Sequence, residues 1–412
     1  MKILIKGAGF INKGAEAMLL TTISELSKRI KEASFSAFVY DSEIQRCRSY
    51  EIEPIVVRNS DSRSILFILK LLLENPELFF TSLASKTTLR QVLAIKEADA
   101  VIDISGYAYW GSKIGSAQRV LQLVNYCRSI NKPYIFLPQA WGPFSKGKFS
   151  RIIKKVCKNS KLLYARDNVS LDFLKQVSTS PVIYGEAMPD IAFNFNSDPK
   201  LVGKKILQSK GVPNSGENKI IGIIPNSQIL KRTDKTTEEN PYIRMLVNAV
   251  NCCTEDFGAV VVLMPHQIAL ENDRSQSDTP ICLSVKEKAM NSERCFIISE
   301  DSAATIKSII GCFDLVISSR FHSLIAGLSQ QVPILAIGWS HKYRELLQLF
   351  DLEEYCLDYR KLNNQEVLGL LVKAWNEKDN NCQKIKKRLP ILKQKIDLMF
   401  DRVAEIICQY ES

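Results

Sequence analysis

Short runs of apolar residues alternate along most of the chain with longer stretches in which apolar residues recur every three or four positions. The short runs predict strands that are buried on both faces of a sheet, and the longer stretches, such as Ala15 to Lys31 and Gly115 to Ile130, predict helices. The predicted strands of the first half are Lys2 to Lys6, Phe35 to Tyr40, Ala100 to Ile104, Tyr134 to Pro138, Leu162 to Ala165 and Val182 to Tyr184. Those of the second half are Ile220 to Ile224, Ala259 to Met264, Cys295 to Ile298, Leu315 to Ser318 and Ile334 to Ile337.

This alternation predicts an α/β protein built of parallel sheets with helices on both faces. The 412 residues are too many for one ordinary hydrophobic core, and a segment rich in Pro, Gly, Asn and Ser separates the two series of strands. We therefore predict two facing Rossmann-like domains, over residues 1–198 and 217–380, which are joined by a linker over 199–216. Residues 381–412 are predicted to form a C-terminal helix that is a candidate to pack back on the first domain.

The formal net charge of +11 narrows the classes of partner. It fits a protein with a basic face, with an anionic small substrate, or with an affinity for an anionic membrane surface. Nucleic acid is disfavoured, because no basic run is interleaved with aromatic residues and no recognition-helix or zinc-finger pattern is present. No cluster of acidic residues and histidines predicts a metal site, and no cofactor is expected.

The cysteines and the apolar segments indicate the cellular compartment of the protein and its relation to membranes. The eleven cysteines are odd in number and include no CxxC pair, which favours a reducing cytosol over a disulfide framework. Met1 to Gly7 predicts a first strand and not a signal peptide, because its apolar run is short and interrupted by lysines. The apolar stretch from Ser64 to Ala84 is broken by Pro76 and too short to span a bilayer. It is interpreted either as a core or interdomain helix or as an amphipathic hairpin that lies on a membrane.

The turn SSRFHS, directly after the strand from Leu315 to Ser318, carries Arg320 and His322. Doubly wound sheets bind ligands beyond the carboxyl ends of their strands, where this turn is expected to lie. The segment WSHKYRE adds Lys342 after the last predicted strand. A guanidinium matches a carboxylate or phosphate, an ammonium adds charge, and an imidazole exchanges a proton near neutral pH. Together they predict a site for a small, multiply charged anion such as phosphoenolpyruvate or a nucleotide diphosphate.

Three other residues at predicted strand ends are candidates to bind the same anion. Asn226 and His266 follow the first two strands of the second half, and Arg166 follows the strand from Leu162 to Ala165. Arg166 suits an anion ligand and a surface ion pair equally. All three histidines of the chain, including His341, follow predicted strands, which makes a shared role at this edge of the sheets worth testing.

The loops of the first half carry candidates for a second ligand. KGAGFINKGAEAM follows the first strand but has Asn12 where a dinucleotide fingerprint needs its third glycine. It is interpreted as a turn that brings Asn12 and Glu16 to a ligand, or as a turn that needs glycine for its geometry alone. DISGYAYWG suits a sugar face or a packed core loop, and PQAWGPF offers a side-chain amide to a hydroxyl. The candidates in these two loops are Tyr107, Tyr109, Trp110 and Gln139.

In their order along the chain, GAGFINKGAEAM, PQAWGPF, ARD, MPDIAF and SSRFHSLIAGLSQQVPILAIGWSHKYRE resemble the polysaccharide pyruvyltransferases. The resemblance implies two Rossmann-like domains as in the GT-B glycosyltransferases. It also implies transfer of a pyruvyl group from phosphoenolpyruvate to a sugar of a cell-surface polysaccharide or its lipid-linked precursor, as a cyclic ketal. The basic residues of the donor pocket then correspond to Arg320, His322, Lys342 and Arg166. The first domain becomes the acceptor side, and its loop departs from the family by placing alanine directly after Gly14.

The chemistry that the resemblance implies assigns a role to each group. His322 protonates the methylene carbon of phosphoenolpyruvate or relays that proton, and Arg320, Lys342 and Arg166 neutralise its phosphate and carboxylate. Glu16 and Asp103 are candidates for the base that the sugar hydroxyls need. Asn12, Tyr107, Tyr109, Trp110 and Gln139 are candidates to bind the acceptor glycan.

Two rival functions stay open. A nucleotide-sugar glycosyltransferase fits the same architecture, and Glu345 and Glu353 have the spacing of donor contacts in such enzymes. A non-catalytic glycan-binding protein would also keep this fold. The expected location is cytoplasmic, with peripheral contact at the inner face of the plasma membrane where lipid-linked sugars lie.

Overall fold

The computed structural model describes residues 1–7, 9–56, 89–109, 114–144, 147–213, 218–233, 240–267, 277–361 and 364–410. The chain divides into two units. Unit 1 consists of Met1–Phe10, Met18–Ile191 and Gln394–Ser412, and unit 2 consists of Ile11–Ala17 and Ala192–Lys393.

The sheet of unit 1 has six parallel strands in the order β3-β2-β1-β4-β5-β6. Central strand β1 pairs with β2 and β4, so that Ile3 lies opposite Phe35 on one side and Ala100 on the other. The strands are β1 (Lys2–Lys6), β2 (Ser34–Val39), β3 (Glu53–Val56), β4 (Ala100–Asp103), β5 (Tyr134–Gln139) and β6 (Leu162–Ala165).

Helices of unit 1 pack their apolar sides on this sheet. In the helix from Lys148 to Asn159, the buried positions Phe149, Ile152, Ile153 and Val156 recur at the spacing of one helix face. The helices are α1 (Lys13–Ser27), whose first turn belongs to unit 2, α2 (Ile44–Ser49), α3 (Leu89–Glu97), α4 (Ile114–Ser129), α5 (Lys148–Asn159) and α6 (Asn168–Val177).

The sheet of unit 2 repeats the same topology in the order β12-β11-β10-β7-β8-β9. Its inner strands are buried along their whole length, as expected for a parallel sheet that is covered on both faces. The strands are β7 (Ile220–Ile224), β8 (Val260–Leu263), β9 (Cys295–Ile297), β10 (Leu315–Ser318), β11 (Ile334–Gly338) and β12 (Cys356–Asp358).

The remaining helices are α7 (Lys200–Ser209), α8 (Ser227–Leu230), α9 (Pro241–Glu255), α10 (Thr279–Lys288), α11 (Ala303–Ile310), α12 (Phe321–Ser329), α13 (Lys342–Gln348), α14 (Asn364–Asn376) and α15 (Lys378–Cys408). Strand order reverses between β7 and β10 in unit 2 and between β1 and β4 in unit 1. Such switch points are where open α/β sheets bind ligands. The two parallel, helix-flanked sheets confirm the predicted fold class.

The structure differs from the predicted elements at several places. Val182 to Tyr184 forms no strand, since only Ile183 makes an isolated bridge to Leu163. The edge strands β3 and β12 were not predicted from the sequence. The range 199–216, predicted as a linker, contains α7 and belongs to unit 2, because this helix packs closely on α11 and the Gly203 N–H donates to Ser308 Oγ.

Unit 2 begins at Ala192 and also includes Ile11–Ala17, whereas the end of the chain from Gln394 onward belongs to unit 1. There Arg29 contacts Asp401 through a 2.6 Å ion pair. The apolar stretch from Ser64 to Ala84, with both of its interpretations, and the candidate Trp110 lie outside the described residues. Among the helices that the structure describes, none is both long and apolar enough to cross a bilayer.

Candidate functional site

The switch point of the second sheet carries Asn226 after β7 and Arg320 after β10. The Asn226 amide donates to the carbonyl of Ser319 at 2.8 Å, and its oxygen accepts the backbone N–H of Gln228 at 2.9 Å. Asn226 therefore ties the ends of the two neighbouring strands together and caps α8. Its predicted role as a donor ligand would be added to this structural one.

The guanidinium of Arg320 is held by a buried carboxylate. Its Nε and Nη2 donate to the two oxygens of Asp278 at 2.9 and 2.5 Å, and Nη1 donates to Gln267 Oε1 at 2.8 Å. Asp278 is fully buried and also accepts the backbone N–H groups of Ser227 and Gln267, each at 2.9 Å. This bidentate pair fixes the plane and direction of the guanidinium.

His322 lies in the first turn of α12 and packs directly against Gly14 in the first turn of α1. A Cβ built on Gly14 would lie 2.0 Å from His322 Nδ1 and 2.2 Å from Cγ, distances at which atoms overlap. Glycine is thus required at position 14 because the imidazole occupies the space of a side chain. This contact explains why position 14 of the GAGFINKGAEAM motif is a glycine.

Lys342 lies at the start of α13 and is buried. Its ammonium lies 4.7, 4.9 and 5.6 Å from the ring centroids of Trp339, Phe321 and Tyr343. Aromatic faces within about 6 Å attract a cation, so this group of rings stabilises the charged form of Lys342.

The first turn of α1 brings two further predicted residues into unit 2. Asn12 caps the helix, since its Oδ1 accepts the Gly14 N–H at 2.9 Å. Glu16 is fully buried, accepts from Lys13 Nζ at 3.1 Å and from the Ala303 N–H at 3.2 Å. Its carboxylate thus lies at the N-terminus of α11, where the helix dipole favours negative charge.

A cavity in unit 2 lies beside this turn and encloses about 310 Å³ of empty space, including space open to solvent. Four basic side chains line it, Lys13, His266, Lys307 and His322, together with the apolar residues Ala17, Ala192, Phe195, Ala303, Ile306, Ile325 and Ala326. Of the donor residues predicted from the sequence, His266 and His322 are in this wall. Arg320 and Lys342 are described in full and are not in it.

Burial and nearby positive charges lower the pKa of two basic groups of the cavity. Burial, reinforced by the charges of Arg320, His322 and Lys13, lowers the pKa of His266 well below its ordinary value. Burial, together with the charge of Lys393, lowers the pKa of Lys307 to about 7. Both shifts indicate that burial and like charges disfavour positive charge in this cavity, and a nearby anion would favour it.

In unit 1, Asp103 is the last residue of β4, at the switch point of the first sheet, and is fully buried. Its Oδ2 accepts from Lys6 Nζ at 2.9 Å and from the hydroxyls of Tyr109 and Tyr134, each at 2.8 Å. Burial acts to raise the pKa of Asp103, but the charge of Lys6 and the Ser105 hydrogen bonds outweigh it and hold that pKa below its ordinary value. Asp103 therefore acts as the ionised centre of a buried network.

The other candidates of unit 1 are also engaged in this region. Gln139 donates to the carbonyl of Asp103 at 2.9 Å, and the buried Tyr109 stacks on Trp141 at a centroid distance of 5.0 Å. Tyr107 lies in the loop after β4 and is half-buried. Arg166 follows β6 and pairs with Asp190 at 2.8 Å; both side chains are buried, so this is not the surface ion pair considered from the sequence.

Comparisons with known proteins now decide the family. A sequence profile described as polysaccharide pyruvyl transferase matches residues 12–341, which is well over half of the chain. The chain belongs to the polysaccharide pyruvyl transferase family. The chain is also 23% identical over 298 residues to the amylovoran biosynthesis protein AmsJ of Erwinia amylovora, with 71% of this chain and 69% of that protein covered.

Solved structures that resemble this pyruvyl transferase family member share its fold. Anabaena Alr3699/HepE in complex with UDP has a TM-score of 0.59 at 12% identity, with 99% of this chain and 100% of that chain covered. A UDP-GlcNAc 2-epimerase from Neisseria meningitidis has a TM-score of 0.52 at 11% identity, with 100% and 99% covered. At these identities the likeness establishes the GT-B type of fold and nothing about the ligand.

Lys307 and Asp278 are among the residues of the candidate site that the sequence analysis did not predict. Lys307 had a detectable signal, because Ala303, Ile306, Lys307 and Ile310 recur at helical spacing, so that a lysine stands within an apolar stripe. Asp278 had none, since an acid directly before a helix is also the pattern of an ordinary cap.

Proposed function

We propose that this protein transfers a pyruvyl group from phosphoenolpyruvate to a sugar of a cell-surface polysaccharide or its lipid-linked precursor. The product is a cyclic ketal across two hydroxyls, and phosphate is released. The observation that carries the proposal is the family match over residues 12–341, which includes SSRFHS and every residue that lines the basic cavity. A relative named for amylovoran biosynthesis agrees with a polysaccharide acceptor.

The donor is proposed to bind in the cavity of unit 2, where His322 would protonate the methylene carbon. Carbon 2 then becomes cationic and accepts one sugar hydroxyl. The bond from carbon 2 to the phosphate oxygen breaks, and the second hydroxyl closes the ring. Of the two protons that the hydroxyls lose, one balances the proton taken by the methylene carbon and the other leaves with the phosphate.

Positive groups around the cavity would stabilise the negative charge that develops on the departing phosphate. His266 is in the cavity wall, and the charges of Arg320 and His322 act on it, so these residues share one electrostatic environment. Lys342 is proposed to add a further positive charge at the same edge of the sheet. The base for the hydroxyls is proposed to be Glu16, which belongs to the same unit as His322 and would first have to release its Lys13 and Ala303 contacts.

Acceptor binding by Asn12, Tyr107, Tyr109, Trp110 and Gln139 stays a prediction, as does peripheral contact with an anionic membrane. Flotation with anionic vesicles at low salt tests the membrane contact. Absence of the protein from the floated fraction would reject it.

Two measurements test the donor and the reaction. Phosphoenolpyruvate at 100 times its dissociation constant should stabilise the protein by about 2.7 kcal/mol, which a melting curve detects, whereas uridine diphosphate should not. Stabilisation by uridine diphosphate alone would favour the glycosyltransferase alternative. Mass spectrometry of acceptor glycans incubated with phosphoenolpyruvate should then find added pyruvate, and His322→Gln should lower turnover by roughly 10²-fold or more. Near-normal turnover of that variant would reject His322 as the general acid.

A further inference from the structure

Lys307 is a buried cation that the family resemblance does not assign to any role. It lies on α11, is 4% exposed and lines the basic cavity. Its Nζ donates to the carbonyl of Phe195 at 2.5 Å and lies 5.7 Å from the centre of the Phe195 ring. No carboxylate of the described residues forms an ion pair with it.

Two other buried cations of the described chain contrast with Lys307. Lys13 is equally buried but contacts Glu16 at 3.1 Å and Asp301 at 2.8 Å, and the buried Arg166 contacts Asp190 at 2.8 Å. A buried ammonium without an anionic partner is unfavourable, and proteins rarely retain one without a function. Lys307 has no carboxylate partner among the described residues, and it lies in a cavity wall with three more basic side chains. Together these two features indicate an anion-binding site.

We propose that the Lys307 amine binds the anionic group of the donor inside this cavity and becomes an ammonium by taking up a proton as the anion arrives. For the identity of the donor this rests on the proposed function, but the anion site itself does not depend on it. Because His322 is in the same wall, Lys307 would hold one charged end of the molecule beside the group proposed to protonate it.

The surroundings of Lys307 explain the proton uptake. The ionisable groups near it come from several elements, namely Lys13 with Glu16 and Asp301, His266, His322 and Lys393. Helix α7 packs against α11 through Gly203, which brings no charge to Lys307. Burial, together with the charge of Lys393, lowers the pKa of Lys307 to about 7, so the amine is largely neutral at pH 8. A bound phosphate or carboxylate favours the charged form and raises that pKa.

Calorimetric titration of the full-length protein with phosphoenolpyruvate and, separately, with inorganic phosphate tests the proposal. Titrations at pH 8 in two buffers of different ionisation enthalpy count the protons taken up on binding. The wild type should take up close to one proton, and its affinity should fall as the pH rises above 7. Lys307→Met should bind about tenfold more weakly or worse and lose the uptake. Lys307→Arg should keep most of the affinity and also lose the uptake, because arginine is always charged.

Lys204→Met is the matched control, since Lys204 is an exposed lysine of the same unit. It should leave affinity and uptake unchanged. Equal affinity and equal uptake in the wild type and in Lys307→Met would overturn the role of Lys307 while leaving phosphoenolpyruvate as the donor. A wild type that binds phosphate but not phosphoenolpyruvate would remove the proposed donor, and the Lys307 variants would then be judged with phosphate. Failure of the wild type to bind either would overturn the anion site. Circular dichroism of each variant establishes that it is folded.

Discussion

The contact between Gly14 and His322 makes a quantitative prediction that does not depend on the reaction. A methyl group at position 14 would lie 2.0 Å from His322 Nδ1, whereas ordinary contacts begin at 3.4 Å, so the ring must retreat by about 1.4 Å. Forced overpacking of this kind typically costs about 1–3 kcal/mol. We therefore expect Gly14→Ala to lower the free energy of unfolding by that amount in urea denaturation.

Gly369→Ala is the matched control, because Gly369 lies inside α14 with no atom within 4 Å of its added Cβ. Alanine in a helix interior is favoured over glycine, so this variant should gain about 0.5–1 kcal/mol. A double-mutant cycle isolates the clash. In a His322→Ala background the ring is gone, and Gly14→Ala should no longer be destabilising.

The same displacement should affect catalysis if His322 transfers a proton. A reacting group that is misplaced by about 1 Å can cost on the order of 10²-fold in rate, so kcat/KM of Gly14→Ala should fall by about that factor while Gly369→Ala stays normal. An equal loss of stability for Gly14→Ala with and without the imidazole would refute the contact. If Gly14→Ala is destabilised but its kcat/KM is unchanged, the contact is supported, but the position of His322 is not important for activity.

Three further variants probe the buried charges. Asp278→Asn should weaken phosphoenolpyruvate binding about tenfold by releasing Arg320 and should cost roughly 3 kcal/mol of stability, with Asp314→Asn as a milder control. Asp103→Asn should destabilise unit 1 by about 3–5 kcal/mol at pH 7. Because the pKa of Asp103 is lowered, its carboxylate stabilises the fold above pH 4 and loses this effect as pH falls further, so the deficit should shrink in acid urea titrations. Lys307→Met should be more stable than the wild type by up to about 5 kcal/mol below pH 7, since the folded pKa is depressed to about 7. That advantage should vanish as pH rises toward 10.5 and the unfolded lysine also loses its proton. A stability difference between Lys307→Met and the wild type that does not change with pH would contradict the lowered pKa of Lys307.

The central strands could be predicted from the sequence because burial on both faces selects unbroken apolar runs. Lys2–Lys6, Ile220–Ile224 and Leu315–Ser318 have the predicted bounds without change. Two of the four edge strands, β3 and β12, could not, since Glu53–Val56 contains a glutamate and a proline, and Cys356–Asp358 has only three residues. Edge positions need fewer apolar residues and tolerate proline, so their pattern resembles that of a loop.

The sequence predicted which candidate residues follow strands, but not which residues their side chains contact. Position after a parallel strand places Asn226 and Arg320 at one sheet edge, whatever the side chains do there. Side-chain partners are set by tertiary packing, so the sequence did not reveal that Asp278 holds Arg320 or that rings surround Lys342. The sequence suggests only a turn as the reason for Gly14, because His322, which packs against it, is distant along the chain.

The assignment of Ile11–Ala17 to unit 2, between two segments of unit 1, limits how the protein can be divided and how it folds. No single cut of the polypeptide yields either half intact, because the backbone changes unit after residues 10, 17, 191 and 393. A fragment that starts at Ala192 would lack the helix turn against which His322 packs. On the ribosome, unit 2 must complete itself with a segment that was synthesised about 175 residues earlier, and unit 1 waits for the segment that begins at Gln394.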